Sequence, residues 1–117
     1  MADNRRILLV EDDVLIGMML ADMFDALDLP EPAQATSNEE ALAMIASEPI
    51  AGALVDINLG EEKGWPVADA LAAMGIPFAF TTGGGDVIPP VHAHRKLITK
   101  PFRISDIAAA LEEFSIE

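Results

Sequence analysis

The sequence has no cysteine and no tyrosine, and only 7 of its 117 residues are lysine or arginine. Without cysteine there is no disulfide framework, no thiolate metal site and no cysteine nucleophile. The 20 acidic residues give a net charge of −13, which leaves no basic patch for a nucleic acid and disfavours an anionic membrane surface. An acidic surface of this kind is compatible with basic protein partners and with cations.

Long hydrophobic runs are also missing. After Arg5 and Arg6, only four apolar residues precede Glu11. This run is too short for the core of a signal peptide. No run approaches the length of a membrane span. We therefore expect a cytoplasmic protein. With 51% hydrophobic residues, the chain can build a core, and we expect one domain over residues 1–117 without an output domain.

Short apolar runs alternate with amphipathic stretches along the chain. This alternation predicts a doubly wound parallel sheet with helices on both faces. Pro89 and Pro90 oppose a long helix, so we expect the fourth helix to be stunted or irregular. We expect residues 60–64 to form a polar loop. The predicted strands are 7–10, 33–36, 51–56, 78–82 and 97–99, and the predicted helices are 14–29, 38–47, 66–75 and 104–114.

Polar side chains stand where the predicted strands end. Glu11 and Asp12 follow the first strand and Asp56 ends the third. Thr82 ends the fourth strand and Lys100 follows the fifth. Because the carboxyl ends of parallel strands share one edge of the sheet, we expect these side chains to lie together. Clustered carboxylates without histidine or cysteine favour Mg²⁺, with Mn²⁺ as the alternative.

This cluster also predicts a reaction. An aspartate can act as a nucleophile on phosphorus and form an aspartyl-phosphate. Lys100 is suited to neutralise the charge of the incoming phosphoryl group, and Thr82 can donate a hydrogen bond to it. Positioning and charge neutralisation supply most of the catalysis in phosphoryl transfer.

Four strings at the strand ends resemble the signatures of response-regulator receiver domains. They read ILLVEDD at 7–13, VDINLG at 55–60, FTTG at 80–83 and TKPF at 99–102. The resemblance covers the chain from about Arg6 to Phe114. It implies the flavodoxin-like (CheY-like) fold, with a five-stranded parallel sheet of order 2-1-3-4-5. It also implies a phosphoryl donor, which is a histidine kinase or a histidine phosphotransfer protein of a two-component system or phosphorelay.

The same resemblance assigns roles to single residues. It implies that Asp56 is the phosphoacceptor, that Thr82 is the switch hydroxyl, and that Lys100 contacts the phosphoryl group and precedes a cis bond to Pro101. The protein would then act by partner binding, phosphate relay or as a phosphate sink, and we expect no turnover of an external substrate. The metal ligands that the resemblance implies are Glu11, Asp12, Asp56 and the backbone carbonyl of Asn58.

Two features set the chain apart from most receivers. Leu97 stands three positions before Lys100, where receivers usually carry an aromatic switch residue, so we expect an unconventional route to an unknown downstream protein. Residues 75–84 resemble the FATGUY regulators of alphaproteobacteria, which are often linked to general stress signalling. The tyrosine of their string is replaced here by Gly85.

The first helix is predicted to expose apolar side chains on its acidic side. Soft, adaptable methionine side chains suit protein docking. We therefore expect a docking surface for the phosphodonor beside the acidic cluster. Its predicted members are Leu15, Met18, Met19, Pro101 and Phe102.

Two other functions and some structural interpretations remain open from the sequence alone. A small phosphohydrolase of the haloacid-dehalogenase type also uses an aspartate nucleophile and Mg²⁺, but it requires a second aspartate where this chain has Asn58. A pseudo-receiver would serve only as an interaction module. Asp13 can be simply a helix N-terminal acid. His92 and His94 are expected on the surface, away from the site.

Overall fold

Strands and helices alternate along the chain, as predicted. The computed structural model describes residues 5–114. The elements, in chain order, are β1 (Arg6–Val10), α1 (Val14–Ala26), β2 (Ala33–Ala35), α2 (Asn38–Ser47), β3 (Ile50–Asp56), β4 (Asn58–Leu59), β5 (Glu62–Lys63), α3 (Trp65–Ala73), β6 (Phe78–Thr82), a 3₁₀ turn (Pro90–His92), β7 (Leu97–Thr99) and α4 (Ile104–Phe114).

Five strands form one parallel sheet in the order β2-β1-β3-β6-β7. Counted among themselves, these strands have the order 2-1-3-4-5, so the predicted flavodoxin-like fold is confirmed. Val10 of β1 is in register with Val55 of β3, and Asp56 is in register with Thr81 of β6. This register brings the ends of β1, β3 and β6 to the same edge of the sheet.

The core has two layers, one on each face of the sheet. Alternate residues of a strand point to opposite faces, so Leu54 and Val55 of β3 belong to different layers. Helices α2 and α3 cover one face, while α1 and α4 cover the other. Because both faces are covered, the central strands β3 and β6 are buried along almost their whole length, whereas the edge strands β2 and β7 alternate between buried and exposed residues. No helix within residues 5–114 is long and apolar enough to cross a lipid bilayer.

Side-chain caps fix the starts of α1 and α2. The carboxylate of Asp13 accepts a hydrogen bond from the backbone N–H of Leu15 at 2.9 Å. The hydroxyl of Ser37 accepts one from the N–H of Glu40 at 3.1 Å, and the Glu40 carboxylate accepts one from the N–H of Thr36. These contacts satisfy amide groups that have no partner within the helix.

Two predicted segments differ in the structure, and a third agrees with its prediction. Helix α1 ends at Ala26 rather than at residue 29, because Asp28 adopts the left-handed conformation with φ of 62°. Residues 60–64 were predicted as a plain loop, but β4 and β5 form a short antiparallel hairpin there. Between β6 and β7 the described chain forms only a 3₁₀ turn that begins at Pro90. The helix expected between β6 and β7, which is the fourth of the receiver fold and not α4 in the numbering used above, is therefore shortened as predicted.

The prediction that His92 lies on the surface is wrong. Its side chain is buried, and its ring lies edge-on to Phe78 and Phe80 with centroid distances of 5.8 Å. The Nε2 atom lies 2.8 Å from a carboxylate oxygen of Asp69 on α3. The 3₁₀ turn directs the imidazole into the core layer between β6 and α3. His94 is exposed, as predicted.

Gly64 provides a test of how tightly the chain packs behind the end of β3. A Cβ atom at this position would lie 2.6 Å from the backbone oxygen of Asp56 and 3.0 Å from Cγ1 of Val55. Gly64 has an ordinary φ of −79°, so the clash alone opposes a side chain. We expect Gly64→Ala to lower the free energy of unfolding by about 1–3 kcal/mol, as overpacking does. Urea denaturation measures this change.

Gly83→Ala is the matched control for this substitution. A Cβ atom there would have no neighbour within 4 Å, and the φ of Gly83 is not in the left-handed range. We expect its unfolding midpoint to stay close to that of the wild type. Equal stability of the Gly64→Ala and wild-type proteins would show that the end of β3 is less tightly packed than the structure indicates.

Candidate functional site

Three carboxylates meet at the edge of the sheet where β1 and β3 end. One oxygen atom from each of Glu11, Asp12 and Asp56 lies within 4.8 Å of the others. Glu11 and Asp56 are buried, with 5% and 2% of their surface exposed, whereas Asp12 is exposed. The structure therefore brings the three predicted acidic residues together. Glu11 and Asp56 form the buried part of the cluster, and Asp12 forms the part that faces solvent.

Lys100 compensates part of this negative charge. Its Nζ atom donates a hydrogen bond to Oδ2 of Asp56 at 2.9 Å and lies 3.2 Å from Oε1 of Glu11. Burial alone lowers the pKa of Lys100, but the contacts with the two carboxylates outweigh burial and raise it. The backbone N–H of Lys100 donates to the carbonyl of Thr82 at 2.8 Å, and the peptide bond to Pro101 is cis, as predicted.

Glu11 is the carboxyl group most disturbed by its surroundings. Burial, with the negative charge of Asp56, raises its pKa from 4.5 to about 7, although a hydrogen bond from the backbone N–H of Asp13 and the charge of Lys100 oppose this rise. Its Oε1 atom is buried and has no hydrogen bond, because the contact with Lys100 is an ion pair only. The cluster thus holds more negative charge than one lysine neutralises.

This donor set fits a hard divalent cation. All the clustered ligand atoms are carboxylate oxygens, which Mg²⁺ prefers, and Oε1 of Glu11 is left with unused acceptor capacity. A cation bound here would favour the ionised form of Glu11. The contribution of the backbone carbonyl of Asn58 to such a site stays a prediction.

The hydroxyl of Thr82 lies at the same edge but contacts a residue that the sequence did not single out. Thr82 is buried, and its Oγ1 atom accepts a hydrogen bond from the N–H of Gly84 at 3.0 Å. The same hydroxyl donates to Oδ2 of Asp86. Among the hydrogen bonds of the described residues, the side chain of Thr82 has none to Asp56 or Lys100.

Asp86 is the centre of a polar network at the mouth of the site. Besides Thr82, it accepts hydrogen bonds from Nδ2 of Asn58, with both oxygens at 3.1 Å, and from Nζ of Lys63 at 3.4 Å. The hydrogen bond from Thr82, aided by Asn58 and Lys63, lowers the pKa of Asp86. Asn58 also accepts from Lys63 and, through its backbone N–H, donates to Oδ1 of Asp56 at 3.1 Å.

One sequence signal pointed to this network. Asp86 directly follows Gly83–Gly85, and glycines of this kind let a chain turn back on itself. A carboxylate after such a turn, close in sequence to Thr82, is placed to reach that hydroxyl. Lys63 had no comparable signal, because its position depends on the pairing of β4 with β5.

The predicted docking residues divide into exposed and buried ones. Leu15 is 75% exposed, Met18 is 58% exposed and Met19 is 40% exposed. Pro101 is also exposed. Phe102, in contrast, is only 7% exposed, because its ring packs in the core layer beneath α1 and α4, so it offers little surface to a partner.

Comparisons with known proteins address the family of the chain. No protein-family model and no curated protein sequence matches it. Among solved structures, SdrG from Sphingomonas melonis Fr1 is 40% identical, with a TM-score of 0.84 over 99% of this chain and 100% of SdrG. The BeF3-activated conformation of SdrG, from Pseudomonas melonis Fr1, is also 40% identical and matches with a TM-score of 0.81 over the same shares.

A second match is the response-regulator REC domain of PhyR from Erythrobacter litoralis. It is 28% identical, with a TM-score of 0.75 over 95% of this chain and 89% of that domain. These similarities extend over nearly the whole chain and agree with the strand order and with the acidic cluster at the sheet edge. The chain belongs to the family of response-regulator receiver domains.

Proposed function

We propose that the chain is a Mg²⁺-dependent phosphoacceptor of a two-component system or phosphorelay, and that Asp56 receives the phosphoryl group from a phosphohistidine. The observation that carries this proposal is the position of Asp56, whose carboxylate lies 2.9 Å from Lys100 inside the acidic cluster. A carboxylate oxygen forms the new bond to phosphorus while the P–N bond to the donor imidazole breaks. The donor imidazole keeps the electron pair of that bond and takes up a proton.

The surroundings favour Asp56 over its two acidic neighbours as the nucleophile. Without a cation, Glu11 is partly protonated at neutral pH because burial raises its pKa to about 7, and with a cation its carboxylate would be occupied as a ligand. Asp12 is exposed and forms no ion pair with a lysine in the part of the chain that the structure describes. Asp56 and Glu11 each accept a backbone N–H and contact Lys100, but Asp56 has the closer contact, a hydrogen bond of 2.9 Å against an ion pair of 3.2 Å.

Each group of the site has a separate role in this proposal. A divalent cation held by Glu11, Asp12 and Asp56 would supply charge neutralisation for the phosphoryl oxygens. Lys100 orients the carboxylate of Asp56 and is placed to contact the transferred group. Thr82 supplies a hydroxyl donor at the same edge. Positioning and charge compensation of this kind provide most of the rate in phosphoryl transfer.

The two alternative functions fit the site less well. A phosphohydrolase of the haloacid-dehalogenase type needs a general acid where Asn58 stands, and the side chain of Asn58 is an amide bound to Asp86 and Lys63. A pseudo-receiver would lack part of the site, whereas every predicted member is present at the sheet edge. We therefore propose no turnover of an external substrate. Membership of the FATGUY group stays a prediction.

We also propose that the phosphodonor docks on α1 beside the acidic cluster. Val14, Leu15, Met18 and Met19 expose apolar surface on one helix that begins directly after Asp12 and Asp13. Exposed apolar side chains that lie together on a protein surface commonly mark a site of protein–protein contact. Helices of a histidine kinase or of a histidine phosphotransfer protein could bring the phosphohistidine to Asp56 from this side.

The acceptor is tested by Asp56→Asn. We expect this variant to gain no phosphoryl group from phosphoramidate in the presence of Mg²⁺, because an amide oxygen is not a nucleophile for phosphorus. Intact mass and alkali lability of the product measure the reaction. Asp22→Asn, which neutralises an exposed carboxylate on α1, is the control and should react like the wild type. Reaction of Asp56→Asn at the wild-type rate would disprove the assignment.

The raised pKa of Glu11 predicts how pH affects the cation. Because this pKa lies above the unfolded value of 4.5, the folded protein loses stability as the pH rises from 4.5 through about 7. A cation that binds ionised Glu11 restores the stability that is lost as the pH rises. We therefore expect Mg²⁺ to raise the melting temperature more at about pH 8 than at about pH 6. Glu11→Gln should remove most of this pH dependence, and an equal Mg²⁺ effect at both pH values in the wild type would contradict the prediction.

The docking surface is tested by Leu15→Asp and Met18→Asp. A charge in the centre of an apolar contact costs more than 1 kcal/mol, so we expect transfer from the cognate phosphorylated donor to slow about tenfold or more. Reaction with phosphoramidate, which needs no docking, should not change. Met74→Asp is the matched control, because Met74 on another helix end has the same 58% exposure as Met18. Unchanged transfer in the α1 variants would exclude this surface.

A further inference from the structure

We propose that Asp86 is an intramolecular competitor for the hydroxyl of Thr82 and that a phosphoryl group on Asp56 displaces it. The inference rests on the proposed function of Asp56. It adds that Asp86 stabilises the unphosphorylated state and thereby slows the phosphorylation of Asp56. It also names the segment that is released, which is the chain between β6 and the 3₁₀ turn.

The hydroxyl of Thr82 can donate a hydrogen bond to Asp86 or to a phosphoryl oxygen, but not to both at once. A hydroxyl has one hydrogen to donate, and Thr82 gives it to Oδ2 of Asp86. The acceptor side of the hydroxyl is already used by the N–H of Gly84 at 3.0 Å. Thr82 can therefore donate to a phosphoryl oxygen only after its bond to Asp86 is broken.

The charges at the site work in the same direction. Asn58 donates its backbone N–H to Asp56 and its side-chain amide to Asp86, so one residue joins the two carboxylates. Only 12% of the Asp86 side chain is exposed, which limits screening of its charge by water. A phosphoryl group added to Asp56 brings further negative charge to this edge and repels Asp86, while Lys63 at 3.4 Å is the one cationic partner of Asp86 within residues 5–114.

The path of the chain explains why this contact controls a segment. Gly84 and Gly85 have φ values of 111° and 80°, which turn the chain so that Asp86 returns to Thr82. A Cβ atom built on Gly83, Gly84 or Gly85 meets no atom within 4 Å, so little packing holds these residues. Val87 follows with 89% of its surface exposed. The contacts of Asp86 and the hydrogen bond from Gly84 to Thr82 are therefore the attachment of residues 83–87 to the site, while Ile88 beyond them packs against the core.

The first experiment measures the rate of phosphorylation by phosphoramidate with Mg²⁺. Asp86→Ala frees the Thr82 hydroxyl and removes the repelling charge, so we expect phosphorylation about tenfold faster than in the wild type. Glu61→Ala is the control, because Glu61 is an exposed acid in the hairpin turn with no hydrogen bond or ion pair among the described residues. It removes the same charge and should leave the rate within about twofold of the wild type.

A double-mutant cycle separates competition for the hydroxyl from simple charge repulsion. In a Thr82→Ala background, the competition no longer exists, so Asp86→Ala should accelerate phosphorylation less than about twofold. An equal acceleration with and without Thr82 would overturn the proposal. Wild-type labelling of Asp56 with an unchanged rate in Asp86→Ala would overturn this inference alone, whereas no labelling of the wild type would overturn the proposed function as well.

Amide hydrogen exchange gives an independent readout of the segment. Fluoroberyllate, a phosphoryl analogue, should raise the exchange rate of the Gly84 amide in the wild-type protein, because this amide is bonded to Thr82 in the unphosphorylated structure. In Asp86→Ala, the amide of Gly84 should exchange faster before the analogue is added and change less after it. Protection of Gly84 that stays the same in both proteins and both states would contradict the release of the segment.

Discussion

The ion pairs of Lys100 with Asp56 and Glu11 are the interaction on which the rest of the site depends. Burying two carboxylates at a strand end is costly unless a positive charge lies close to them. One ammonium group at 2.9 and 3.2 Å offsets part of that cost and leaves the remainder as a raised pKa at Glu11. This incomplete balance weakens the unliganded fold, and a bound cation, as proposed above, would relieve it.

The ion pair between Lys100 and Asp56 requires the ends of β3, β6 and β7 to lie at one edge of the sheet. Lys100 follows β7, which lies two strands away from β3 in the sheet, and its backbone N–H bonds to the end of β6. The side chain of Lys100 then crosses β6 to reach Asp56. Close packing of Gly64 against the carbonyl of Asp56 holds the other side of the same strand end. Sheet register and turn packing thus set the distances within the site.

The sequence predicted the features that depend on local pattern and on the general rule for parallel sheets. The five sheet strands, the gathering of Glu11, Asp12, Asp56 and Lys100, and the shortened helix before β7 all followed from short apolar runs, prolines and strand ends, whereas the strand order followed from the resemblance to receiver domains. Asp86 and His92 did not, because their positions depend on how a glycine- and proline-rich connection folds back on the sheet. No periodic pattern encodes such a path.

His92 and Asp86 together explain how a receiver can work with Leu97 in place of an aromatic residue. His92 fills the layer beside Phe78 and Phe80, so the start of β7 needs no ring to complete the core there. Leu97 is 44% exposed on that strand. In the proposed competition between Asp86 and a phosphoryl group, the part of the molecule that moves is the connection after Thr82, which precedes β7. A hydroxyl that changes partner from Asp86 to a phosphoryl oxygen alters this connection directly, without the rotation of an aromatic side chain.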